Sequence, residues 1–355
     1  NLDYSSWNSA ISTLKYCAEL CSIPALMSQI GIPNIDSKLE SEILHSMKDV
    51  ESALREVIEG KYPLVIETSR HLIDAGGKRL RPLMVLLAAQ FGNPEAKGII
   101  EAAVVCELTH LGTLYHDDVM DEAPLRRGVE SANNRWNNTV AILTGDYLFA
   151  KTSQLLADLG PEAVRLQALT FERLVIGQIT ETQGSSTGKT QLEHYLGVVA
   201  DKTGSLISAS ARYGAMISGA DAEVMEALTK FGEEIGIVFQ LADDIIDIAS
   251  DSKESGKTPG TDLREGVPTL VTLFILESDD PADLELKQIL SAPITDEAII
   301  KETIAKLRNH SALTKSRDLV AKYGQSAQLH LQKLPEGPAK DALIGLSQAV
   351  ISRTS

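Results

Sequence analysis

Cysteine is scarce in this chain. Cys17, Cys21 and Cys106 are an odd trio without metal-ligand spacing, which argues against a disulfide framework and against a zinc site. Cys17 and Cys21 stand one helical turn apart and read as packing residues. Positive charge is also in deficit: 33 Lys and Arg against 49 Asp and Glu leave a net charge of -16. That balance excludes nucleic acid as a partner, because such binding rests on neutralising phosphates. No apolar run reaches transmembrane length. The best stretch, from Gly98 to Tyr115, is broken by Glu101, Glu107 and His110. The first residues, beginning Asn1-Leu2-Asp3, hold neither a basic patch nor an apolar signal core, so a cytoplasmic protein is expected. Sustained apolar/polar alternation and Asn-Gly or Asp-Gly hairpin pairs are missing too, which leaves little room for strands.

What the chain does contain is helical periodicity. Leu39, Ile43, Met47, Val50, Leu54 and Ile58 recur at steps of three and four, with Ser37 before them and Gly60 after them. Pro161 opens a long helical pattern reaching Gly184, and Asp221 to Ile248 reads as helix as well. The expected fold is all-α, a single large helical bundle over residues 38–355, with residues 1–37 as a helical extension on its outside.

Two of the helices end alike. An apolar helix over 99–116 runs into Asp117-Asp118-Val119-Met120-Asp121, and residues 231–242 run into Asp243-Asp244-Ile245-Ile246-Asp247. Residues i and i+4 share a helix face, so Asp117 projects with Asp121 and Asp243 with Asp247. Paired carboxylates suit Mg²⁺, a hard cation that bridges protein oxygens to substrate phosphates. A solvated acidic helix end is the plainer alternative, but Asp is unfavourable at a helix C-terminus, and here it would recur twice.

Cations gather locally despite the acidic total. In Gly76-Gly77-Lys78-Arg79-Leu80-Arg81-Pro82, glycines stop one helix and proline suits the first turn of the next. Lys78, Arg79 and Arg81 then sit in a tight turn at a helix start, where phosphate is favoured. Arg126-Arg127 follow the first acidic motif, and guanidinium groups hold phosphate bidentately. Two P-loop look-alikes fail: Gly256-Lys257-Thr258 and Gly188-Lys189-Thr190 have Asp251 and Gln183 where the earlier glycine belongs.

With these residues in view, the chain resembles the trans-isoprenyl diphosphate synthase family, in particular its medium- and long-chain polyprenyl members. The resemblance runs from about Leu39 to the C-terminus, through GGKRLRP, HDDVMDEAPLRRG, GDYL, KTGSL, FQLADDIIDI and GKTPGTDL. It implies an isoprenoid-synthase bundle around a deep apolar cavity, usually a homodimer, that condenses isopentenyl diphosphate with an allylic diphosphate. By position, Asp117, Asp121 and Asp243 match the Mg²⁺ ligands, about three ions per site. Asp118, Asp244 and Asp247 match partners that act through water or a neighbouring ligand. Lys78, Arg81, His110 and Arg127 match the isopentenyl diphosphate site; taken alone, His110 would read as a satisfied core histidine. Arg126, Lys202 and Lys257 match contacts to the allylic diphosphate. Thr203 and Gln240 match oxygens facing the developing carbocation, and Phe239 an aromatic beside the homoallylic substrate. Many members carry a basic residue just after Gly266; this chain has Val267, and Arg264 is the expected replacement.

Product length is read from the helix before Asp117. Positions four to five and eight to twelve earlier lie near one face, each further turn ~5.4 Å deeper. They offer Gly112 and Thr113, then Thr109, Val105 and Cys106. Short-chain members place a bulky aromatic at the first layer, whereas Gly112 has no side chain. A product of roughly thirty carbons or more is expected, its apolar end drawing the enzyme transiently to a membrane surface. The alternative role for Gly112 is close helix packing. Two rival functions fit less well. A class I terpene cyclase would carry an Asn-Asp-x-x-Ser-x-x-x-Glu motif in the second position, and a regulatory subunit would have lost aspartates, whereas all six stand here.

Overall fold

The structure is a computed structural model that describes residues 31–185, 188–249 and 259–354. Cys17, Cys21, most of the expected extension, and Lys257 lie outside the described residues. Those described are almost entirely α-helical, and none of their helices is long and apolar enough to cross a membrane. They form two compact units that interleave along the sequence, so no single cut separates them. One holds the described residues of Asn1–Arg165, Ser210–Asp221 and Pro335–Leu346; the other holds those of Leu166–Ala209, Ala222–Leu334 and Ser347–Ser355.

In the first unit, α1 (Ser37–Val57) starts where the Asp36 carboxylate accepts the N–H groups of Lys38 and Leu39, each at 3.0 Å. Ser37 is the expected signal, but the cap is one residue earlier. The Leu39, Ile43, Met47, Val50, Leu54 stripe is buried as its spacing predicts. α2 (Pro63–Asp74) opens on proline, whose missing N–H is no loss in a first turn. α3 (Leu80–Ala89) and α4 (Ile99–Met120) are buried along most of their faces and form the centre of the unit. The expectation of no hairpin fails at one place. β1 (Leu125–Arg126) and β2 (Val129–Glu130) pair antiparallel, Arg126 opposite Val129. The turn is Arg127-Gly128, with φ of 54° and 76°, the two positive values that a two-residue hairpin needs. After α5 (Ala132–Arg135) comes α6 (Asn138–Leu159), which packs along α4. α7 (Pro161–Gln183) passes from this unit into the other.

In the second unit, α8 (Gln191–Val199) begins at Thr190, whose hydroxyl accepts from Glu193 N at 3.1 Å while Glu193 reaches back to Thr190 N at 3.0 Å. Thr190 is therefore a helix cap, which accounts for the false P-loop ending. A π-turn, Ala200–Gly204, leads into α9 (Ser205–Ser218), which passes into the first unit from Ser210 onward. The long α10 (Ala222–Ala249) buries Leu228, Phe231, Ile235, Val238, Leu241 and Ile245 at helical spacing. Around it come α11 (Thr261–Glu265), α12 (Leu270–Leu276), α13 (Leu284–Leu290), α14 (Glu297–Arg308) and α15 (Ser311–Leu331); α16 (Pro338–Ser352) again spans both units.

Candidate active site

The basic turn before α3 splits its cations between two tasks. Arg79, itself left-handed at φ 44°, faces inward and is 4% exposed. Its guanidinium donates to Glu51 at 2.5 Å, to Glu107 at 2.8 Å and to the Ile73 carbonyl at 3.0 Å. Burial alone would lower its pKa, but Glu107 and Glu51 together raise it. The sequence groups Arg79 with the phosphate cations; the structure makes it a brace instead. Arg81 differs. Burial pushes its guanidinium down to about 10 against the pull of Glu107, and its Nε is buried without a protein acceptor. A buried donor of this kind is what an anion would satisfy.

Arg127, at the hairpin turn, donates Nη1 to the Leu72 carbonyl at 2.8 Å and to the Gly76 carbonyl, with Nη2 3.6 Å from Glu107. A Cβ on Gly77 would lie 2.7 Å from the Arg127 guanidinium carbon, so glycine there makes room for the arginine. Glu107 is 1% exposed; burial raises its pKa, but Arg79, Arg127 and Arg81 outweigh that and lower it. His110, one turn further along α4, is held neutral by burial and by Arg81 and Arg127. Arg81 and Arg127 thus meet around the Glu107 carboxylate, His110 lies near both guanidiniums, and Lys78 is half-exposed in the same turn. Glu107 was visible in the sequence only as a break in an apolar run, yet a lone acid inside such a helix is the signal that marks it.

The first acidic motif closes α4. Asp117 is half-exposed, Asp121 exposed, and Asp121 N–H donates to the Asp117 carbonyl at 2.8 Å. Asp118 is buried; its Oδ1 accepts Arg126 Nε at 2.6 Å and its Oδ2 has no protein partner. Burial raises its pKa, against the pull of Arg126.

The second motif belongs to the other unit. Asp243 accepts Arg353 Nη2 at 2.7 Å, and the same guanidinium lies 5.2 Å from the centre of the Phe239 ring. Asp244 is buried, pushed up to about 7 by desolvation, although the hydrogen bonds from Tyr195 and Gln240 pull the other way. Asp247 accepts the backbone N–H groups of Thr261 at 3.2 Å and Asp262 at 3.3 Å, tying α10 to the start of α11. Lys202, in the π-turn, pairs with Glu181 at 2.7 Å, and Thr203 Oγ1 donates to Gln240 Oε1 at 3.3 Å. Arg264 is bound to both Glu297 carboxylate oxygens at 2.9 Å and to the Pro259 carbonyl at 2.8 Å, while Val267 is 44% exposed. The expected replacement for the missing basic residue therefore has other partners. Tyr195 and Arg353 carried no motif in the sequence.

Along α4 before Asp117, Val105 and Thr109 are buried and Thr113 half-buried. Thr109 donates to the Val105 carbonyl at 2.8 Å and Thr113 to the His110 carbonyl at 2.8 Å, so both hydroxyls are turned onto their own helix. Gly112 is not beside open space: a Cβ there would meet the Phe149 ring of α6 at 2.9 Å.

The sequence profile of the polyprenyl synthetases matches residues 62–307. The chain belongs to the polyprenyl synthetase family. The nonaprenyl diphosphate synthase of Mycobacterium tuberculosis is 50% identical to it over 284 residues, 80% of this chain and 85% of that protein. Among solved structures, geranylgeranyl pyrophosphate synthase of Corynebacterium glutamicum, with calcium and isoprenyl diphosphate, superposes with TM-score 0.80 at 42% identity, covering 90% and 98% of the two chains. A decaprenyl diphosphate synthase of Rhodobacter capsulatus superposes with TM-score 0.81 at 31% identity, covering 90% and 99%. This polyprenyl synthetase is an enzyme of the medium- and long-chain trans type, a prenyltransferase that condenses isopentenyl diphosphate with an allylic diphosphate.

The family uses divalent metal, and the donors here fit a hard cation: carboxylate oxygens only, one of them the orphaned Asp118 Oδ2. Among the described residues no group of three or more His, Cys, Asp or Glu converges to cage an ion.

Proposed function

We propose that this enzyme adds isopentenyl units successively to an allylic primer and releases a linear polyprenyl diphosphate of roughly thirty carbons or more. The observation that carries this is the lining before Asp117. Gly112, Thr113, Thr109 and Val105 put no bulky aromatic on α4 itself, and both threonine hydroxyls are bonded to their own helix. The relatives named for nonaprenyl and decaprenyl products support the same reading.

Asp117, Asp121 and Asp243 are the proposed ligands of about three Mg²⁺ ions, with Asp118, Asp244 and Asp247 acting through water or a neighbouring ligand. When bound, the metal supplies positive charge that stabilises a departing diphosphate. Lys78, Arg81, neutral His110 and Arg127 bind isopentenyl diphosphate. Arg126, Lys202 and, by motif alone, Lys257 bind the allylic diphosphate. Arg126 and Lys202 are paired with Asp118 and Glu181, so substrate binding exchanges carboxylate partners for phosphate ones. Thr203 and Gln240 turn oxygens toward the allylic cation, Phe239 lies beside it, and apolar walls exclude water that would trap it.

The active form we propose is a homodimer. Ile142 and Leu143 of α6 are 41% and 60% exposed, and Leu169, Ile176 and Ile179 of α7 are 59%, 51% and 52% exposed, apolar surface that a second copy would cover. We also propose that the enzyme is cytoplasmic and meets a membrane surface only transiently, through its product. The test is incorporation of labelled isopentenyl diphosphate into acid-labile allylic product, with and without primer, Mg²⁺ and chelator. Incorporation that needs both primer and Mg²⁺ and stops with chelator supports the reading; metal-independent incorporation, or none, rejects it.

A further inference from the structure

A chain of hydrogen bonds runs from α8 through α10 to the π-turn. The Tyr195 hydroxyl donates to Asp244 Oδ2, and Gln240 Nε2 donates to Asp244 Oδ1 at 2.9 Å. Thr203 Oγ1 then donates to Gln240 Oε1 at 3.3 Å. The chain has a polarity set by chemistry. Both Asp244 oxygens accept, so the Gln240 amide turns its NH₂ toward Asp244 and its oxygen away. Gln240 and Asp244 are one turn apart on α10, which keeps the two groups in reach. Tyr195 is the terminal donor.

We propose that Tyr195 is a positioning residue for condensation: by holding the Asp244 carboxylate it fixes the Gln240 amide with Oε1, not NH₂, presented beside Thr203. This rests on the reading above, in which Gln240 and Thr203 face the allylic cation. An amide oxygen stabilises such a cation, whereas a flipped amide would present a partial positive charge to it. Without the phenol hydroxyl, one carboxylate oxygen loses its donor. Asp244 can then rotate away from Gln240, and an amide that has lost this acceptor is free to turn over.

The experiment uses the full chain. Tyr195→Phe removes one oxygen and keeps the ring; kcat should fall about ten- to a hundredfold while KM for both diphosphates stays within about twofold. In a Gln240→Leu background, the same change should have less than about twofold further effect, because Tyr195 acts through Gln240. In the metal-free protein, the Gln240 side-chain NH₂ should give two resolved, slowly exchanging ¹⁵N-correlated signals that are lost in Tyr195→Phe. Losses that multiply in the double variant, or amide signals unchanged in Tyr195→Phe, would overturn the proposal. If Tyr195→Phe does not fold, Asp244→Asn puts the question from the other side. A residue that can also donate should free the amide to flip and abolish the resolved signals; their persistence would count against the relay. A wild-type protein with no transferase activity would sink the functional reading, while the amide signals would still decide the relay.

Discussion

Arg127 is held in a left-handed conformation that costs about 1 kcal/mol for a non-glycine residue, and two backbone carbonyls and Glu107 keep it there. Glu107 is the residue on which this cluster depends. Glu107→Gln should cost about 3 kcal/mol, since it leaves buried guanidinium charge undercompensated. The folded pKa of Glu107 lies below its ordinary 4.5, so its contribution is complete above that pH and is lost as pH falls through the folded value. Urea unfolding should therefore show a wild-type-to-variant gap that is steady at neutral pH and narrows in acid; a gap that widens in acid would contradict the assignment. The aspartates should differ, since the role proposed for them lies in the chemistry and not in folding. Asp117→Ala and Asp243→Ala should each lower turnover about a hundredfold or more with the melting temperature preserved, and a near-wild-type rate would refute their role. At this scale the aspartates, Lys78, Arg81 and Arg127 could be picked out as candidates because the proposed chemistry demands particular residue types at fixed spacing. Glu107, Tyr195 and Arg353 were not, since each acts through partners that are distant in sequence.

At the scale of elements, the helices were legible from their stripes, as the burial of Leu39 through Leu54 illustrates. The ribbon at 125–130 was not, because its turn uses an arginine at positive φ that only its tertiary partners make tolerable. α11 gives a second case. Arg264 is engaged by Glu297 and the Pro259 carbonyl, so Arg264→Ala should leave the KM for either diphosphate within about twofold. A larger rise in steady-state KM would restore it as the substitute for a basic residue at 267. Between α4 and α6, the ring of Phe149 fills the space that Gly112 leaves. Product length should accordingly rise in Phe149→Ala and fall in Gly112→Phe, the latter also losing about 1–3 kcal/mol to overpacking. Unchanged product in both folded variants would remove this pair from control of chain length.

Over the whole molecule, a net charge of -16 coexists with an arginine-rich turn, and Arg79 there is compensated locally by Glu51 and Glu107. Exposed apolar residues on α7 should tie two copies together. Replacing Ile176 and Ile179 with Glu should yield a monomer in light scattering, and an unchanged mass would place the interface elsewhere. The most direct measurement is mass spectrometry of the diphosphates formed when the purified protein alone receives isopentenyl diphosphate, an allylic primer and Mg²⁺. The account predicts a ladder of linear allylic diphosphates ending at roughly thirty carbons or more. No condensation, a cyclised hydrocarbon, or a ladder ending at about twenty carbons or fewer would contradict it.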